Sequence, residues 1–187
     1  MNVVMVGFMG SGKTAVGRRL AQRLGYRFLD TDHFIETQLG RTINDIFAAE
    51  GEGYFRQIES NMAENLKELD NHVISTGGGL VVTPGNLERL KKAGIVVFLK
   101  AEVDDILARL SRDNKRPMLK GHDLKERVTS LLSERQPYYE QCDITVPTGG
   151  KGVNRVAGEI IRLMGEHQAE QKLNQPEAPP SAIKITD

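Results

Sequence analysis

The stretch Asn2-Val3-Val4-Met5-Val6-Gly7-Phe8-Met9-Gly10-Ser11-Gly12-Lys13-Thr14 decides the reading of this chain. Its first five residues form a short apolar run of strand type, and Gly7 to Thr14 match G-x-x-x-x-G-K-[ST] in full. After Lys13 the period changes: Val16, Leu20 and Leu24 recur at helical spacing, and Gly25 ends the pattern. A glycine turn between a strand and a helix lets successive N–H groups point at phosphate oxygens, and the helix dipole favours the same anion. The loop therefore reads as a nucleoside triphosphate site. The backbone of Gly10, Ser11, Gly12, Lys13, Thr14 and Ala15 cradles the phosphates, Lys13 reaches the β and γ phosphates, and the Thr14 hydroxyl is placed to ligate Mg²⁺.

Outward from that loop, short β-branched runs alternate with helical patterns, which predicts an α/β fold built on a parallel sheet. Strands are expected at Arg27 to Asp30, His72 to Ser75, Ile95 to Leu99 and Ile144 to Val146. Helical patterns fill Phe34 to Leu69, with Ile58, Met62, Leu66 and Leu69 as one apolar stripe. Thr83-Pro84 reads as a helix start, a cap followed by proline at the first helical position, and Gly94 as that helix's end. Further helices are expected over Val103 to Leu110, from Leu124 onward, and over Val153 to Met164. Residues 111–123 are polar and basic without periodicity, and read as a mobile loop that could act as a lid. Past Gln168 the chain has no aromatics and carries Pro176, Pro179 and Pro180, so 168–187 reads as a disordered tail behind a domain of 1–167.

Composition narrows the function classes. The 187 residues hold 25 Lys plus Arg against 25 Asp plus Glu, so no global basic field exists for nucleic acid or an anionic membrane. No run approaches the ~20 apolar residues of a membrane helix. Cys142 is the only cysteine, which excludes an internal disulfide framework and a cysteine-rich zinc site. The start lacks the basic and apolar regions of a signal peptide, and a cytoplasmic soluble monomer is the expectation.

Chemistry beyond the loop concentrates at a few places. Asp30 and Asp32 stand at the end of the second strand, where parallel strand ends share one rim with the loop. One of them could support magnesium and the other hold an acceptor hydroxyl; the plainer alternative is that Asp32 only caps the next helix. Gly77-Gly78-Gly79 make sense where backbone approaches a ligand closely. Arg56, Arg109 and Arg135 are candidates that spacing alone does not single out, whereas Arg116 is fixed by Pro117 within the polar loop, where a lid could bring it onto phosphate. A guanine-reading N-K-x-D loop is missing, because Asn114-Lys115 is followed by Arg116-Pro117. The four histidines show no ligand spacing and read as structural or surface residues.

Taken in order, Gly7 to Thr14, Phe28-Leu29-Asp30-Thr31-Asp32, Phe55-Arg56, Ser75-Thr76-Gly77-Gly78-Gly79, Arg116-Pro117-Met118-Leu119 and Arg135-Gln136-Pro137-Tyr138-Tyr139 resemble shikimate kinase over about residues 2 to 165. The resemblance implies a P-loop α/β three-layer sandwich. Its parts are a five-stranded parallel sheet, helices on both faces, a lid at about 111–123 and a substrate-binding helical region at about 32–61. It also implies ATP-dependent phosphorylation of the 3-hydroxyl of shikimate, in the pathway to chorismate and the aromatic amino acids. Under it Asp32 binds the shikimate hydroxyls, Arg56 and Arg135 its carboxylate, and the Gly77 to Gly79 backbone packs on the ring. Asp30 supports Mg²⁺ together with Thr14, Arg116 reaches the phosphates from the lid, and Arg109 packs on adenine. Lys13, Asp32 and Arg116 then carry the catalysis. Two alternatives stay beside this reading: a related carbohydrate kinase of gluconate type, and a nucleotide-dependent switch or binding module without an acceptor. One departure stands out: the family often carries a basic residue after the fifth strand that touches ATP, whereas here the stretch is Thr148-Gly149-Gly150-Lys151, and Lys151 is not assigned.

Lys13→Ala is expected to abolish ATP turnover while circular dichroism shows a folded chain, because its charge is needed at phosphate. An active Lys13→Ala chain would remove the foundation of the reading.

Overall fold

The computed structural model describes residues 1–111 and 124–174. Five strands form one sheet: β1 (Asn2–Val6), β2 (Arg27–Asp30), β3 (His72–Ser75), β4 (Gly94–Lys100) and β5 (Ile144–Pro147). Their order is β2-β3-β1-β4-β5 and every pairing is parallel. Seven α-helices connect them among the described residues: α1 (Lys13–Leu24), α2 (Thr31–Leu39), α3 (Ile43–Asn65), α4 (Asn86–Ala93), α5 (Val103–Leu110), α6 (Leu124–Tyr139) and α7 (Val153–Leu173).

A parallel sheet covered on both faces buries its central strand on both sides, and β1 is buried at all five positions. Val3 and Met5 pack with Val16 and Leu20 of α1 and Val156 and Ile160 of α7. Val4 and Val6 face the other way, onto Ala63 of α3 and Leu87 and Leu90 of α4. These three layers aim the C-terminal end of β1, and the glycine loop after it, at the rim where β2, β3 and β4 also end. Ile35 of α2 with Ile46 and Phe55 of α3 makes a separate small core that ties those two helices together.

Several expected boundaries move. The long 34–69 pattern breaks at Gly40 (φ 63°), after which Thr42 and Asp45 form a reciprocal capping box that starts α3, and α3 itself kinks at Gly51 (φ 82°, ψ 174°). Thr83-Pro84 does not start a helix. The Asn86 N–H donates to the Thr83 carbonyl at 3.1 Å. With Gly85 at φ 79°, ψ −9°, Pro84 and Gly85 are the central residues of a type II turn, and α4 begins at Asn86. Helix α6 runs through Pro137 and so carries Arg135 and Tyr139 on one element. Helix α7 continues to Leu173, so residues 168–173 are helical and not part of a disordered tail; the lid stretch 112–123 and the stretch 175–187 lie outside the described residues.

Gly94 opens β4 against β1, where a Cβ would stand 2.3 Å from the backbone oxygen of Asn2. Backbone in the middle of a sheet has little freedom to retreat. Gly94→Ala is therefore expected to cost about 1–3 kcal/mol. Each kcal/mol lowers the melting temperature by roughly 2–4 °C in a chain of this size. An unchanged midpoint in a thermal scan would show that the β1–β4 pair yields.

Candidate active site

The turn after β1 takes its shape from glycines that no other residue replaces without strain: Gly7, Gly10 and Gly12 have φ of 146°, 76° and 100°. Gly12 is also the N-cap of α1 and has no side chain with which to cap it. The first-turn N–H groups thus face the loop as an anion site. Lys13 bends back over the loop, and its Nζ donates to the Gly7 carbonyl at 2.8 Å and the Phe8 carbonyl at 3.0 Å. From α5, Arg109 reaches across and donates to the Gly10 carbonyl at 2.9 Å. A cavity of about 590 Å³ opens here, and Lys13, Thr14, Ala15, Asp30, Asp32, Gly78 and Arg109 are among the residues that line it. Arg18, His33 and Glu36 line it as well, so His33 stands at the site and not simply on the surface.

The two aspartates at the end of β2 divide their tasks. Asp30 accepts from the Thr14 hydroxyl at 3.0 Å through Oδ2, and its Oδ1 takes the His33 N–H at 3.4 Å. Capping of α2 thus falls to Asp30, whereas Asp32 lies in the first turn with Oδ1 turned to Gly77. A hydroxyl and a carboxylate in contact at the mouth of a phosphate loop fit a hard cation such as Mg²⁺, with phosphate and water oxygens completing its shell.

Gly77, Gly78 and Gly79 have ordinary backbone angles, since none has positive φ. Space is what they provide. A Cβ on Gly77 would stand 2.6 Å from Asp32 Oδ1 and 3.0 Å from Glu59 Oε1. One on Gly79 would stand 2.6 Å from Arg56 Nη1, and one on Gly78 would touch Arg135 Nη1 at 3.5 Å. Helices α2, α3 and α6 thus deliver Asp32, Arg56 and Arg135 onto one strip of backbone, beside the cavity. The structure brings every sequence-read site residue in the described region to this rim; Arg116 lies outside the described residues.

Glu59 was not singled out in the sequence, because a glutamate in the helical stretch around Ile58 and Met62 resembles a solvated face. Its side chain is 1 % exposed, and it accepts from Arg56 Nη1 at 2.5 Å. Burial raises the Glu59 pKa above the ordinary 4.5, against the pull of Arg56 and with a further push from Asp32. For Arg56 burial opposes the charge, yet Glu59 and Glu52 more than offset it and hold the guanidinium protonated. Only the missing Cβ atoms of the triple glycine hinted that such a group would be there.

Comparison with known proteins adds independent weight. The shikimate kinase family profile matches residues 9–165. A shikimate kinase of Caldanaerobacter subterraneus subsp. tengcongensis is 42% identical over 86% of this chain and 94% of its own length. One of Geobacter sulfurreducens is 43% identical over 89% of this chain and 92% of its own. Among solved structures, shikimate kinase from Acinetobacter baumannii in complex with shikimate superposes with a TM-score of 0.84 at 39% identity, covering 89% of this chain and 94% of that one.

Because the folded-state value of Glu59 lies above that of the unfolded chain, its contribution to stability is whole below pH 4.5 and is lost as pH rises through the raised value. In urea titrations over about pH 4 to 7, the wild type should lose stability relative to Glu59→Gln as the pH increases. A difference that stays constant with pH would mean that Glu59 does not titrate in this way.

Proposed function

The chain belongs to the shikimate kinase family, and on that premise we propose that it transfers the γ-phosphoryl group of ATP to the 3-hydroxyl of shikimate, with Mg²⁺. The observation that carries the reading is the convergence of Asp32, Arg56 and Arg135 on the glycine strip beside the phosphate loop. Shikimate offers one carboxylate and a set of hydroxyls. Two guanidinium forks suit the first, and an aspartate suits the second. A gluconate-type acceptor is the reading that the family assignment disfavours, and a switch without an acceptor would leave this second half of the rim with no task.

Phosphoryl transfer needs mostly positioning and charge neutralisation. ATP phosphates would lie on the Gly10 to Ala15 backbone, with Arg109 over the adenine side. Lys13 would give up its loop carbonyls, at 2.8 and 3.0 Å, for β and γ oxygens, a short swing for a flexible chain. Bound Mg²⁺, held by Thr14 and through water by Asp30, would supply charge neutralisation between the phosphates. Arg56 and Arg135 would fix the carboxylate, and Asp32 the hydroxyls, so that the 3-hydroxyl faces the γ phosphate. Arg116 would bring a further positive charge to the transferring group. Asp32 would act mainly by positioning, because a loose transition state needs little deprotonation of the hydroxyl before the phosphoryl group departs.

The direct test is ADP release from ATP measured with shikimate, with gluconate and with neither. Stimulation by shikimate alone is expected, and stimulation by gluconate would transfer the chain to the other acid. In the same assay Asp32→Asn should raise the shikimate KM with a smaller fall in kcat, while ATP hydrolysis without acceptor survives. Loss of both activities together would place Asp32 in the metal shell. A kcat lower by about 10²-fold or more, with affinity kept, would make it the general base.

A further inference from the structure

One buried side chain at the rim has no part in the reading so far. Tyr139, four residues after Arg135 on α6, is fully buried, and its ring stacks on Phe98 of β4 with centroids 4.8 Å apart at 16°. A phenylalanine would fill that space, so the hydroxyl needs its own account. It donates to the carbonyl of Gly78 at 2.8 Å, and the positive charge of Arg135 stands near enough to act on it. Gly78 is also the glycine whose Cα faces Arg135. The bond is local to the place where the acceptor acid is read.

We propose that Tyr139 is a positioning residue for the acceptor acid, its hydroxyl holding in place, before substrate arrives, the Gly78 backbone against which the Arg135 guanidinium lies. This rests on the reading of Arg135 as part of the carboxylate clamp. A guanidinium binds a carboxylate as a rigid planar fork, so the backbone it rests against helps to set where that fork points. The phenol's proton is committed to the Gly78 carbonyl, which can only accept. Aromatic stacking fixes where the oxygen stands. Burial, opposed by Arg135, raises the Tyr139 pKa to about 12, so the group does not ionise under assay conditions. The inference differs from plain core packing in one respect: it concerns the acid and not ATP.

Tyr139→Phe keeps the ring and removes only the hydroxyl. Steady-state kinetics should show the shikimate KM about tenfold higher and the ATP KM within about twofold of wild type, the size expected for one buried hydrogen bond. Equal changes in both constants, or no change in either, overturn the inference. Arg135→Met separates this from the reading beneath it. If Arg135→Met leaves the shikimate KM unchanged, the clamp itself falls and the inference falls with it. If Arg135→Met raises that KM but Tyr139→Phe does not, the clamp stands and only the role of Tyr139 is lost. In the double variant the effect should be well below the product of the two single effects; a full product overturns the coupling. Should Tyr139→Phe lose its cooperative thermal transition, Phe98→Leu takes its place, since it loosens the stack and displaces the same hydroxyl. A shikimate KM unchanged there also overturns the inference.

Discussion

The carboxylates of Asp32 and Glu59 and the guanidinium of Arg56 approach the chain at Gly77 and Gly79 so closely that no Cβ fits between them. Much else in the molecule serves that approach. Strand β3 must end beside β1, so that Thr76 can tie its N–H and hydroxyl to the Met5 carbonyl. Strand β2 must pair with β3 in register, Asp30 opposite Ser75, so that the first turn of α2 drops Asp32 onto Gly77. The Thr31 hydroxyl fixes that turn by accepting the Gly77 N–H at 3.0 Å. Helix α3 then has to run back along the sheet with Arg56 and Glu59 one turn apart on one face, and it is held there by Phe55 below and Ala63 farther along. The sheet order is the means by which two acids and two bases from distant parts of the sequence meet one short backbone segment.

How much of this was legible depends on whether a residue's signal is local. Gly7, Gly10 and Gly12 announce themselves because the backbone angles they need belong to the loop, and the loop's neighbours are a strand and a helix by simple periodicity. Gly77 to Gly79 were visible as an anomaly, but their cause was not. Glycine usually signals unusual angles, and here it signals neighbours contributed by residues 32, 56, 59 and 135. Glu59 was hidden for the converse reason: Arg56 one turn before it reads as half of an ordinary surface pair, and nothing in that helix reveals that the Asp32 carboxylate and the glycine strip wait on the buried side. Thr83-Pro84 misled because the same pair opens a helix or, when glycine follows, a turn, and Gly85 chose the turn. Asp30 and Asp32 could be assigned to the rim from the strand's end, but which of them caps α2 depends on the Thr14 hydroxyl, sixteen residues away in sequence.

Balanced net charge fits this architecture. Both substrates in the proposed reaction are anions, and a chain with a large positive field would attract them without selecting among them. Here positive charge is rationed by local pairing instead. Lys13 rests on loop carbonyls, Arg109 on the Gly10 carbonyl, and Arg56 on Glu52 and Glu59. Each cation is held in the fold by oxygens at the rim where the substrates would lie.

Arg56 shows what that arrangement gains. A guanidinium drawn from solvent onto a substrate carboxylate would lose side-chain freedom and hydration at the moment of binding, and both losses would weaken affinity. With Glu59 buried beneath it and Glu52 at its edge, Arg56 is already ordered and partly dehydrated in the folded chain, so those costs fall on folding. The raised pKa of Glu59 is the mark of that transfer. A carboxylate is kept where water would stabilise it better, so that the cation above stands in one place. Tyr139 acts beside Arg135 through the Gly78 carbonyl, a neutral hydroxyl where Arg56 has a carboxylate, and the difference follows from position. Arg135 leans on the Phe8 ring, 5.6 Å from its centroid, close to the phosphate loop. A second buried carboxylate there would repel the triphosphate. A neutral hydroxyl holds the backbone beside that guanidinium without adding negative charge beside ATP.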